Sequence, residues 1–165
     1  MADKAAADKL HLGFLRVISM DAGYVGGLLV TNRIGRPLEF QCTTPVRPNK
    51  TQEVLYGPTL EAFLYSEVLG RTLLDRMAVK PDILLIDQPE MLAIREICSS
   101  PVLLLSAKSS KNGSSVLDDA RTQDGFEDDS SIVERLRKLV PGSADLMEPL
   151  DRVREALTEA LRAAA

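Results

Sequence analysis

The sequence predicts an α/β chain built on a mixed five-stranded sheet, in the order 3-2-1-4-5, with helices on both faces. Three observations carry this. Residues 14–44 hold three consecutive short strand-like runs separated by turn residues. From residue 58 onward the apolar pattern takes a helical period and then alternates between helix and strand. The two later strand runs, around ILLI (83–86) and VLLL (102–105), are continuously apolar, as parallel strands buried on both faces are.

Taken in order, FLRVISM (14–20) alternates and carries β-branched residues, which predicts the first strand. DAGY (21–24) is a turn. VGGLLVTN (25–32) is a second strand in which Gly26 and Gly27 mark a bulge or a close backbone approach. RIGR (33–36) predicts a hairpin loop with positive φ at Gly35, leading into a third strand, PLEFQCTT (37–44). Short turns make this trio an antiparallel meander.

Residues 45–57 are expected as a connecting loop, and Pro58 suits the first turn of a helix. Leu60, Phe63, Leu64, Val68, Leu74 and Met77 recur at helical spacing, predicting a helix from Thr59 to about Met77. PDILLIDQP (81–89) is a buried strand, EMLAIREIC (90–98) a short helix, and SPVLLLSA (100–107) a fifth strand. Helix-length crossovers set strand four parallel to strand one. Helices at 131–140 and 147–165 close the chain, the latter with Leu150, Val153, Leu157 and Leu161 on one face.

The 165 residues are 45% hydrophobic and 27% charged, ordinary values for one domain with a core. Residues 1–9 are expected as a disordered tail. Residues 10–165 form the domain, with a flexible acidic loop at 108–130 that is rich in Ser, Gly and Asp. No run approaches a membrane span and MADKAAADKL has no secretory h-region, so a cytoplasmic location without membrane association is expected. A net charge of −4 disfavours general nucleic-acid affinity. Cys42 and Cys98 lie far apart in apolar surroundings and are expected as buried free thiols.

Chemistry is sparse. The one histidine, His11, lies near the terminus, so a Ser-His-Asp arrangement and a zinc site both lack their residues. GYVGG lacks the spacing of a phosphate loop, and the run before Gly125 lacks the ligands of a calcium loop. What remains is carboxylates. Glu67 falls near the centre of the apolar arc of the first long helix when 100° is allotted per residue. Two compensators are open: an ion pair with Arg71, four residues on, or a metal shared with Asp21 and Asp87. Asp87 either caps the helix that follows or belongs to an acidic site at a strand end. Asp21 either opens its turn or joins that site.

The element order resembles the ribonuclease H-like fold over roughly residues 13–140. The resemblance implies that the ends of strands one and four converge with the first long helix. The spacing of Asp21, Glu67 and Asp87, together with YGPTLEAFLYSE (56–67), is similar to the endonuclease V family. That likeness implies Asp21, Glu67 and Asp87 as catalytic metal ligands for Mg²⁺ or Mn²⁺, and Tyr56 as a substrate-binding residue. Asp118, Asp119, Asp128 or Asp129 would supply a fourth carboxylate. The chain departs from the family at Gln88-Pro89-Glu90, at Tyr65-Ser66, and in lacking a later histidine. Two functions follow: a non-catalytic ribonuclease H-like module that binds an unknown protein partner, or a divergent metal-dependent nuclease.

Overall fold

The computed structural model describes residues 9–106, 116–142 and 144–164. Five strands form one sheet in the order β3-β2-β1-β4-β5. β1 is Leu12–Met20, β2 Gly23–Thr31, β3 Pro37–Cys42, β4 Ile83–Ile86 and β5 Val102–Leu104. β1, β2 and β3 are antiparallel neighbours, while β4 is parallel to both β1 and β5. Architecture and strand order are those expected from the sequence.

Side-chain alternation assigns each strand's residues to two cores. Leu12, Phe14, Leu29, Ile83, Leu85 and Leu103 face the C-terminal helices, α3 (Ile132–Leu139) and α4 (Glu148–Ala164). Leu15, Val17, Leu28, Leu84, Ile86 and Leu104 face the other layer. That layer is α2, a continuous helical run over residues 60–76, together with a 3₁₀ helix, Pro89–Glu96. Every residue of β4 is buried, which is why its sequence reads as an unbroken apolar run.

The two glycines of β2 serve close approach, one on each face. A Cβ at Gly26 would lie 3.2 Å from Leu69 Cβ of α2, and one at Gly27 would lie 2.9 Å from Val153 Cγ1 of α4. Gly27→Ala is expected to destabilise the protein by about 1–3 kcal/mol through displacement of α4. Urea unfolding measures this, and an unchanged midpoint would contradict it. Gly35 has φ +88 in the hairpin loop, as that turn requires.

Three local expectations need correction. The loop expected at 45–57 contains a helix, α1 (Lys50–Tyr56). Its capping box is complete: Asn49 accepts from the Gln52 amide and the Gln52 side chain accepts from Asn49 N–H. Of the acidic loop expected at 108–130, residues 108–115 lie outside the described residues, as do 1–8 of the expected tail. Residues 116–130 pack on the sheet: Val116 and Leu117 are buried, and Arg121 exchanges two backbone hydrogen bonds with Leu104. Cys42 and Cys98 are free thiols, half-buried rather than fully buried.

Candidate functional site

The carboxyl ends of β1 and β4 are where the sequence places a carboxylate site. β1 and β4 pair with a constant offset, Leu12 against Ile83 through Phe14 against Leu85. Side chains continue that register past the end of β4. Arg16 meets Asp87 in a 3.3 Å ion pair. At the next position Gln88 takes the place of a strand residue. Its Oε1 accepts from Val17 N–H and its Nε2 donates to the Val17 carbonyl, both at 2.8 Å. Val17 is 2% exposed, so its backbone groups would otherwise have been buried without partners. The opposite end shows the same offset, where Asp82 Oδ2 accepts from His11 N–H.

Arg16 is held from a second side. Its Nη1 lies 3.3 Å from Asp151 Oδ1 and donates to the Leu150 carbonyl of α4. Arg16 thus ties α4 to the tip of β4. Asp87 is largely buried, and its Oδ1 has no hydrogen-bond partner among the described residues. Burial pushes the Asp87 carboxyl up from its ordinary value, while the Arg16 guanidinium pulls it down less strongly.

A raised folded-state pKa makes protonated Asp87 the stabilising form. Its contribution is complete below the ordinary value of 3.8 and is lost as pH rises through the folded value. Asp87→Asn is therefore expected to match the wild type near the acid limit and to exceed it in melting temperature at neutral pH. Melts from about pH 3 to about pH 7 check this. A variant less stable than wild type at neutral pH would show that the Arg16 pair outweighs desolvation.

The other predicted residues lie elsewhere. Asp21 is exposed in the β1–β2 turn, where its carbonyl accepts from Arg47. It stands five residues beyond the Arg16 position, about 16 Å of strand. Glu67 is exposed rather than central to the buried face. The cause is helix geometry: Phe63–Gly70 is wound as a π-helix, with Arg71 N–H donating to Ser66 O. The wider turn puts Leu64, Tyr65, Leu69 and Gly70 inward and carries Glu67 outward. Among the described residues Glu67 and Arg71 make no ion pair. The α2 helix that bears Glu67 covers the face opposite α4, whereas Asp87 shares its face with Ile83 and Leu85.

The described residues accordingly contain no group of three or more His, Cys, Asp or Glu placed to hold one metal ion. Asp21, Glu67 and Asp87 do not fit Mg²⁺ or Mn²⁺ in this arrangement, because the first two are exposed and lie apart and a guanidinium already neutralises the third. Asp87 does not cap the following helix either. The N-cap there is Gln88, and no side chain caps it.

Of the remaining acidic candidates, Asp129 and Asp118 have structural partners. Asp129 is bound by Arg95 through Nε at 2.8 Å and Nη2 at 3.4 Å, and it accepts from Val102 N–H. Arg95 lies 4.3 Å over the Phe126 ring. Asp118 pairs with Arg137. Asp119 borders a cavity of about 380 Å³ at the ends of β4 and β5, lined also by Asp87, Leu104, Arg121 and Met147. Asp128 is exposed. Tyr56 stacks on Phe63, ring centroids 4.3 Å apart, which fixes the end of α1 against α2.

α1 buries none of its residues, and Val54 and Leu55 are 71% and 78% exposed. The helix carries no apolar period in sequence because it buries none of its residues. The readable signal was Asn49 followed by Gln52 three residues later. No helix among the described residues is long and apolar enough to cross a membrane. No protein-family model matches the chain, and no curated protein matches it.

Proposed function

We propose that this chain is a non-catalytic ribonuclease H-like interaction module that binds a protein partner. The observation that carries the proposal is the Arg16–Asp87 ion pair at the carboxyl ends of β1 and β4. A carboxylate there that served divalent cations would face other acids. Here it faces a guanidinium that also anchors α4. The strand order 3-2-1-4-5 is compatible with the ribonuclease H-like arrangement, which supports the fold part of the reading.

α1 supports the binding part. Val54 and Leu55 project from a capped helix that buries none of its residues and is tied to α2 by the stack of Tyr56 on Phe63. Exposed apolar side chains on an ordered helix favour a protein surface over a nucleic acid, and the negative net charge agrees. Val54→Glu/Leu55→Glu should leave folding within about 0.5 kcal/mol of wild type, since both sites are exposed. The test is quantitative affinity capture from cells with wild type and variant. Proteins retained by the wild type and lost from the variant support the module. Equal retention by both would overturn docking through α1.

A further inference from the structure

The two edges of the sheet are treated differently. The β5 edge is closed: Arg121 exchanges backbone hydrogen bonds with Leu104, and Asp129 accepts from Val102 N–H. Among the described residues, no strand pairs with the β3 edge. Thr43 N–H donates to Gly26 O, so alternate residues Gln41 and Glu39 also turn their backbone groups toward β2. Leu38, Phe40 and Cys42 turn theirs outward. Of these, only the Cys42 carbonyl has a partner among the described residues, Arg76 at 3.5 Å. Unpaired edge groups are a template for another strand.

No described element covers one face of the same edge. α4 packs over β1 and β2, leaving beside β3 a groove of about 400 Å³ lined by Leu29, Phe40, Val153 and Ala156. Leu38 is 43% exposed next to it. Arg152 and Glu159, two helical turns apart on α4, flank the groove. Arg152 donates to Gly35 O near the start of β3, and Leu157 sits over Gly27, which pairs with Cys42 at its end. α4 therefore runs alongside β3 in the same direction.

We propose that this edge binds a second copy of the chain, β3 against β3 in antiparallel register about a two-fold axis at Phe40. The outward-facing groups require that even-numbered residues pair, and the complementarity of Glu39 and Gln41 centres the register: Leu38 pairs with Cys42 of the second copy, and Phe40 pairs with its equivalent. Glu39 then lies opposite the second copy's Gln41, a side chain that already donates to Glu39 within one chain at 2.9 Å. The axis runs the two α4 helices antiparallel on one face. Arg152 of each copy then faces Glu159 of the other, and the two grooves merge around Leu38 and Phe40. A pattern complementary to itself under a two-fold is what an isologous dimer needs. The proposal does not depend on whether the chain has a catalytic site or docks through α1.

Sedimentation equilibrium of the full chain over a wide concentration range tests it, with Leu38→Lys and Glu159→Arg beside the wild type. The wild type is expected to reach twice the mass of one chain. Leu38→Lys places a charge in the merged groove, and Glu159→Arg sets arginine against Arg152. Each is expected to raise the dimer dissociation constant at least about tenfold. Circular dichroism establishes that both variants remain folded. A monomeric wild type at several hundred micromolar overturns the proposal, as does a dimer indifferent to both substitutions. A monomer whose Leu38 and Phe40 amides resist hydrogen exchange also overturns it, by assigning the edge to another segment of the same chain.

Discussion

Asp129→Ala is expected to destabilise the protein by about 3–5 kcal/mol, the usual cost of stranding one partner of a buried ion pair. The Arg95 and Asp129 side chains are 17% and 8% exposed, so water replaces the lost carboxylate at the guanidinium only in part. Asp129 also accepts from Val102 N–H at the β5 edge, so the substitution loosens an edge strand as well. Arg95 holds the Cys98 carbonyl and stacks on Phe126, which links the 3₁₀ helix to the segment after residue 116. Urea unfolding gives the number. Arg95→Met/Asp129→Leu should recover much of the loss, because removing both charges leaves neither unpaired. A single-variant cost below about 1 kcal/mol would mean that the pair is solvated and behaves as a surface contact.

The second large effect is expected at Gln88. Gln88→Met keeps the length of the side chain and removes both of its polar atoms. Val17 N–H and C=O then lose their partners in a residue that is 2% exposed. At about 1–3 kcal/mol for each unsatisfied buried group, a loss of roughly 2–6 kcal/mol is expected. The Val17 amide should also lose its protection from hydrogen exchange, while Leu15 keeps its own. A stable variant with Val17 still protected would show that the β1–β4 ladder does not need the side chain.

These two positions show where sequence reading reached and where it stopped. The sheet order was legible because β4 and β5 read as unbroken apolar runs and the meander carries its turn residues. Gly26 and Gly27 were legible as a bulge or a close approach, and the packing of α2 and α4 against them makes them the latter. Glu67 was misplaced for a definite reason. A fixed 100° per residue holds for an α-helix, and Phe63–Gly70 is wound more widely. Val68 and Ser66 look unremarkable in sequence, so nothing announced the change of period. Arg16–Asp87 and Gln88–Val17 join residues 71 apart, and only the β1–β4 register reveals them. Residues 116–130 looked like loop because their role is to satisfy an edge and a guanidinium, tasks that need polar side chains rather than a pattern.

The central claim is that Arg16 and Gln88 close the ends of β1 and β4, where a metal-dependent enzyme of this strand order would present open carboxylates. Its most direct test is a melting curve of the full chain titrated with Mn²⁺ into the millimolar range. A cation bound only by the folded state raises the melting temperature, by about 2.7 kcal/mol of added stability at one hundred times its dissociation constant. No saturable rise is expected, with wild type and Asp87→Asn responding alike. A saturable rise in the wild type that Asp21→Asn, Glu67→Gln and Asp87→Asn each abolish would contradict the account.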